Sequence, residues 1–145
     1  MRRSTTLLVC SVIAVAACHH SASTSASAQP TKRPALVGTE WTLVDLGGQR
    51  AGLGAGDKPA SLTLAADGNR ASGFAGCNRM SGSYELNGAG LRFGPMAVTR
   101  MACATGMDLE TRFLGALQAT RGYRLTDEGL ELTGETGTLA RFTHP

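Results

Sequence analysis

GFAGCNRMSGSY, Gly73 to Tyr84, is the stretch on which the fold turns. One cysteine stands between Gly76 and Asn78, with glycines on both sides and an aromatic near each end. Gly76 and Gly82 let the backbone turn or approach another segment closely. Asn78 can hold a local turn through its side chain. The stretch therefore reads as a glycine-flanked strand corner rather than as a catalytic loop.

Outward from the corner, short segments alternate polar and apolar residues. They are Glu40–Val44, Ser61–Leu64, Ser83–Leu86, Leu91–Phe93, Tyr123–Thr126, Leu130–Thr133 and Thr138–Phe142. Period-two alternation with one apolar side predicts half-buried antiparallel strands. Between them lie Asp67-Gly68-Asn69, Asn87-Gly88-Ala89-Gly90, Asp127-Glu128-Gly129 and Gly134-Glu135-Thr136-Gly137. Such residues supply the positive φ angles of tight hairpins. The last three strands read as a meander. One segment breaks the pattern: Gly106 to Thr120 sets Leu109, Phe113, Leu114 and Leu117 on one side of a helix. Thr105 with Asp108 resembles a capping box, Arg121 suits the C-terminal end of the dipole, and Gly122 is placed to stop the helix. Its Leu/Phe stripe is expected to pack on the sheet.

The N-terminus sets the compartment. Arg2 and Arg3 precede an apolar run, Leu7 to Ala17, too short to span a bilayer but suited to an export signal. The run ends in Val15-Ala16-Ala17-Cys18, which resembles a bacterial lipobox. The expectation is a lipoprotein signal peptide over 1–17, with Cys18 lipidated. Ordinary cleavage after Ala26-Ser27-Ala28 is the rival. Several acyl chains, at about 0.8 kcal/mol per buried CH₂, would anchor permanently. Residues 18–35, small and polar with Pro30 and Pro34, read as a disordered tether reaching roughly 20–25 Å from the membrane. Residues 36–145 suffice for one domain. Of the 14 Lys and Arg, four lie at Arg2, Arg3, Lys32 and Arg33, which leaves ten against 11 Asp and Glu in the domain. That balance offers no basic face, so no nucleic acid partner is expected.

Compartment then bears on Cys77 and Cys103, the two thiols left once Cys10 goes with the signal and Cys18 is acylated. In an oxidising envelope, paired cysteines usually form a disulfide. Two free buried thiols are the next reading, and catalysis or metal binding the last. The only histidines are His19, His20 and His144. Two cysteines without nearby histidines make a poor zinc site, and a nucleophilic thiol would lack its base. No metal and no cofactor are expected.

GCNRMSGSY, VTRMAC and MDLETRFLGAL, in that order behind a tryptophan-bearing first strand, resemble the META domain, and most nearly its HslJ-like bacterial heat-shock lipoproteins. The matched positions are Trp41; Gly76, Cys77, Asn78, Gly82 and Tyr84; Thr99, Met101, Ala102 and Cys103; and Glu110 and Phe113. The resemblance implies a mainly β (α+β) fold, a curved, partly open antiparallel β-barrel with a single helix packed against it. It also implies an association with stress or antibiotic tolerance at the cell envelope and no catalytic site. Ala65, Ala66, Ala71 and Ala75 stand where bulkier strand residues are expected, which predicts looser core packing there. The hydroxyls of Tyr84 and Thr99 are expected near the cysteine pair.

Two functional readings follow, with a third from another class. The first is a membrane-anchored, non-catalytic binding or tolerance module that contacts an envelope protein or a small apolar molecule. The second is a purely structural accessory domain. The third, an envelope hydrolase or redox enzyme, lacks a core histidine and any G-x-S-x-G or C-x-x-C motif. Without an aspartate after Cys18, the resemblance points to the outer membrane, facing the periplasm.

Overall fold

The alternation in the sequence becomes an inside and an outside. A computed structural model describes residues 34–145; the expected signal peptide, Cys18 and nearly all of the tether lie outside the described residues. In chain order the strands are β1 (Glu40–Leu46), β2 (Gln49–Arg50), β3 (Ser61–Leu64), β4 (Arg70–Phe74), β5 (Arg79–Asn87), β6 (Gly90–Phe93), β7 (Ala97–Val98), β8 (Gly122–Leu125), β9 (Leu130–Gly134) and β10 (Gly137–Thr143). A 3₁₀ turn spans Ala55–Asp57, and the helix α1 spans Met107–Ala119.

Neighbouring strands are antiparallel in the order β1-β3-β4-β5-β6-β8-β9-β10, and β10 pairs again with β1, closing an eight-stranded barrel. β2 and β7 are short additions on β1 and β5. The expected partial opening survives only as a thin seam. β6 and β8 share one residue pair, Gly90 with Gly122, flanked by the Leu91 N–H to Arg121 carbonyl bond at 3.2 Å and the Tyr123 N–H to Ala89 carbonyl bond at 3.1 Å.

Trp41, Leu43, Leu62, Leu64, Leu91, Leu130, Leu132, Ala140 and Phe142 point inward and are buried. In β1 strict alternation would send Asp45 inside, but the register slips between Leu43 and Asp45 and Leu46 takes the buried position. An irregularity of this kind re-aims side chains, which keeps a carboxylate out of the core. Ala71 and Ala75 are fully buried, so these small residues sit within the core.

α1 lies against β1, β6 and β10 and drives Phe113 and Leu117 into the core, with the Phe113 ring 5.9 Å from that of Phe142. Its ends depart from the expected caps. Gly106, at φ 90°, is the N-cap, with no side-chain bond, so Thr105 and Asp108 form no capping box. The helix stops at Thr120, whose hydroxyl donates to the Ala116 carbonyl at 2.8 Å, and Gly122 already belongs to β8. Arg121 does serve this end, donating to the carbonyls of Gln118 and Thr120.

Candidate functional site

The corner of the opening stretch, Ala75 to Asn78, joins β4 to β5 and gathers three other segments around it. Gly54, Gly76 and Gly106 come together there from distant parts of the chain. A Cβ on Gly54 would lie 2.0 Å from the Gly76 carbonyl oxygen, and one on Gly106 would lie 2.2 Å from it. That same oxygen accepts from the Ala55 N–H at 2.7 Å. Only hydrogen side chains permit this approach, which brings the 3₁₀ segment, the corner and the helix start into contact.

Asn78, 2 % exposed, is the hub. Its side-chain oxygen accepts from the Thr99 hydroxyl at 2.9 Å and the Met101 N–H at 2.8 Å. Its amide nitrogen donates to Glu110 Oε1 at 3.1 Å and to the Met101 carbonyl at 3.3 Å. Glu110 Oε2 accepts from the Asn78 backbone N–H at 2.7 Å. One side chain thus ties β5 to the helix and to the strap of residues 94–106. A disulfide between Cys77 and Cys103 secures the same strap. The strap adds β7 to β5, pairing Val98 with Met80 and Ala97 with Ser81. Where it crosses β5, a Cβ on Gly82 would meet Met96 Sδ at 2.5 Å, so only glycine lets it pass.

The family-motif residues therefore divide by place. Gly76, Cys77, Asn78, Thr99, Met101, Cys103 and Glu110 meet at the corner. Gly82 underlies the strap. Trp41 and Phe113 serve the core, the Trp41 indole N–H donating to the Leu36 carbonyl at 2.9 Å. Tyr84 lies toward the far end of the β4–β5 hairpin, beside the Arg70–Ser83 pair, and its hydroxyl donates to the Ala65 carbonyl at 2.7 Å. The expectation that both hydroxyls lie near the cysteines thus holds for Thr99 and fails for Tyr84.

Beside the corner, on the outer face of the barrel, lies a groove of about 1190 Å³. Its floor is the outward face of β1, β3, β4 and β5; its walls are the 3₁₀ segment with Lys58 and Pro59, and the strap with Val98 and Met101. Met101 is 61 % exposed. A smaller hollow of about 630 Å³ shares Thr42 and Pro59 with it and reaches the exposed Val44 and Leu53. The spacing of the sequence alone does not assign Lys58, Pro59, Arg79 or Phe74 to a groove. The alternation of Ser61-Leu62-Thr63-Leu64, which turns Ser61 outward, is the one signal in the sequence that bears on its floor. Among the described residues no group of three or more His, Cys, Asp or Glu could hold a metal ion.

A family model described as META domain matches residues 34–145. A solution structure of a protein from Burkholderia xenovorans is 34% identical, covers 76% of this chain and 83% of its own, and superposes with a TM-score of 0.60. A second solution structure, 24% identical over 72% of this chain and 87% of its own, shares the fold with a TM-score of 0.56. No curated protein matches the chain.

Proposed function

The chain belongs to the META domain family, and from that premise we propose that it is an HslJ-like envelope lipoprotein that binds a partner or small ligand in the outer groove and performs no catalysis. One observation carries this reading: the most extensively bonded buried polar side chain, Asn78, holds the wall of an open groove. A buried asparagine with its donors and acceptors matched fixes backbone geometry tightly. Binding sites are commonly concave, largely preformed and mainly apolar with a few placed polar groups. An acyl chain inside the barrel has no support, since Trp41, Phe113 and the leucines fill that space. Lipidation at Cys18 would carry the groove to the outer membrane and, through the tether, present it to the periplasm.

The test is a photo-crosslinking residue placed at Ser72 on the groove floor, with one at Glu128 in the β8–β9 turn as control. Irradiation of cells expressing the full chain is expected to trap an adduct from Ser72 and none from Glu128. No groove-specific adduct would leave the accessory-domain reading standing in its place. For the anchor, Cys18→Ser is expected to abolish acyl incorporation and processing before residue 18. A Ser variant that matures to the same length and stays with membranes would refute it.

A further inference from the structure

The charges of the groove stand at opposite sides of its floor. Register aligns the outward residues of four strands in two rows: Thr42, Ser61, Phe74 and Arg79, then Glu40, Thr63, Ser72 and Ser81. Glu40 stands on β1 and Arg79 on β5, three strand spacings or about 14 Å apart across the strands and one row apart along them. Lys58 lines the groove from the segment that runs between Ala55, bonded to Gly76 at the corner, and Ala60, bonded to Leu43 of β1. Among the described residues none of these three charged groups has an ion-pair partner, and the hydroxyls of Thr42, Ser61, Ser72 and Ser81 have no hydrogen-bond partner. Phe74 on the floor and Val98 on the strap offer apolar surface between the charged ends.

We propose that the groove takes a short zwitterionic peptide with apolar side chains, about four residues in extended form. Four extended residues cover about 14 Å. The peptide's carboxylate pairs with Arg79 and Lys58, Arg79 being able to bind it through two parallel hydrogen bonds. Its terminal ammonium meets Glu40. The unpartnered floor hydroxyls donate to and accept from the peptide backbone, and its side chains pack on Phe74 and Val98. A fatty acid would satisfy the cations but run its tail toward the Glu40 carboxylate. A neutral glycan would leave both ends unpaired. The charge arrangement selects the peptide. This inference rests on the groove-binding reading above and names its ligand.

Calorimetric titration of the full chain with Ala-Leu-Leu-Ala tests it, alongside the N-acetylated peptide, the C-amidated peptide and laurate. The free peptide is expected to bind, and each blocking group to weaken it about two- to fivefold, the usual worth of an exposed ion pair. Glu40→Gln should erase the penalty for acetylation alone, and Lys58→Gln with Arg79→Gln the penalty for amidation alone. All three side chains line an open surface, and thermal unfolding of each variant checks that the fold is kept. Equal binding of free and blocked peptides overturns the proposal, as does binding of laurate without any peptide, or no binding at all. If a groove-specific adduct forms in cells while the peptides fail, the ligand class is wrong and the binding reading survives. If no adduct forms, the binding reading itself falls.

Discussion

Asn78 shows how one side chain can fix a surface. Its amide engages Glu110 on the helix and Thr99 and Met101 on the strap, and no other side chain among the described residues bonds to both of those segments. Asn78→Ala would leave the Met101 N–H and the buried Glu110 carboxylate short of partners. Each unmatched group costs about 1–3 kcal/mol, so the loss is expected at about 3–4 kcal/mol, read as a lowered urea midpoint. Asn78→Asp keeps the shape but replaces the donating amide with an acceptor facing Glu110, and a similar loss is expected. A loss below about 1 kcal/mol in both would refute the hub. The residue was visible in the sequence as a turn former beside a cysteine, but its long-range bonds were not. Partners 21 to 32 positions away follow no spacing rule. The meeting of Gly54, Gly76 and Gly106 was hidden for the same reason, since close approach leaves no periodic trace.

At the scale of elements, strands with a leucine or aromatic on every second residue were legible, and those without were not. β4 reads Arg-Ala-Ser-Gly-Phe, where Ala71 is its one fully buried residue and carries almost no hydrophobic signal. β2 and β7 are two residues each, created by the strands they pair with. The helix was legible through its stripe; its N-cap was misread because Gly106 serves the glycine contact first, and Gly122 was misread as its stop because it already belongs to β8. Phe113→Ala is expected to cost about 3–5 kcal/mol through loss of a buried ring and the cavity left behind. Arg112→Ala should cost under about 1 kcal/mol, because its partly exposed guanidinium reaches the Leu46 carbonyl at 3.3 Å and Asp108 at 3.8 Å. Comparable losses at both positions would mean that the stripe is not the docking face. A charge ladder laces the other side of the barrel. Arg124 on β8 pairs with Glu131 on β9, Glu131 with Arg141 on β10 at 3.0 Å, and Arg141 with Asp45 on β1 at 3.7 Å. Hydrogen bonding from Arg124 chiefly, with Arg141 adding to it and burial opposing, holds the Glu131 carboxyl below its ordinary 4.5. A depressed folded value means stability that is present above the ordinary value and lost as pH falls through the folded one. Acid titration of thermal stability should show that loss below about pH 4.5 in the parent and a smaller one in Glu131→Gln. Identical acid profiles would remove the ladder from the stability of the meander.

For the molecule as a whole, the closed ring and the strap answer to different constraints. Ring closure depends on long-range pairing, above all β1 with β10, and the sequence carried the strands but not the closure that joins first to last. The strap has only the two-residue β7 in its course and depends on two restraints at one place, the Asn78 bonds and the Cys77–Cys103 disulfide across 26 positions. Cross-linking a loop of that length stabilises chiefly by restricting the unfolded chain, by about 3–4 kcal/mol. Cys77→Ser, Cys103→Ser and the double variant remove the same cross-link, so all three should lose similar stability in urea, with the double no worse than the singles. Because the strand pairing is untouched, the ring should persist while the strap, left to Asn78, loosens. Amide hydrogen exchange separates the two: the Thr99 and Met101 N–H groups, bonded to the Arg79 carbonyl and the Asn78 side chain, should exchange faster in the variants by more than the drop in global stability explains. The Leu132 N–H, in the middle of the meander, should not. Uniform acceleration at all three sites would mean that the disulfide supports the barrel rather than the groove wall. A strap unchanged in every variant would mean that Asn78 alone holds it.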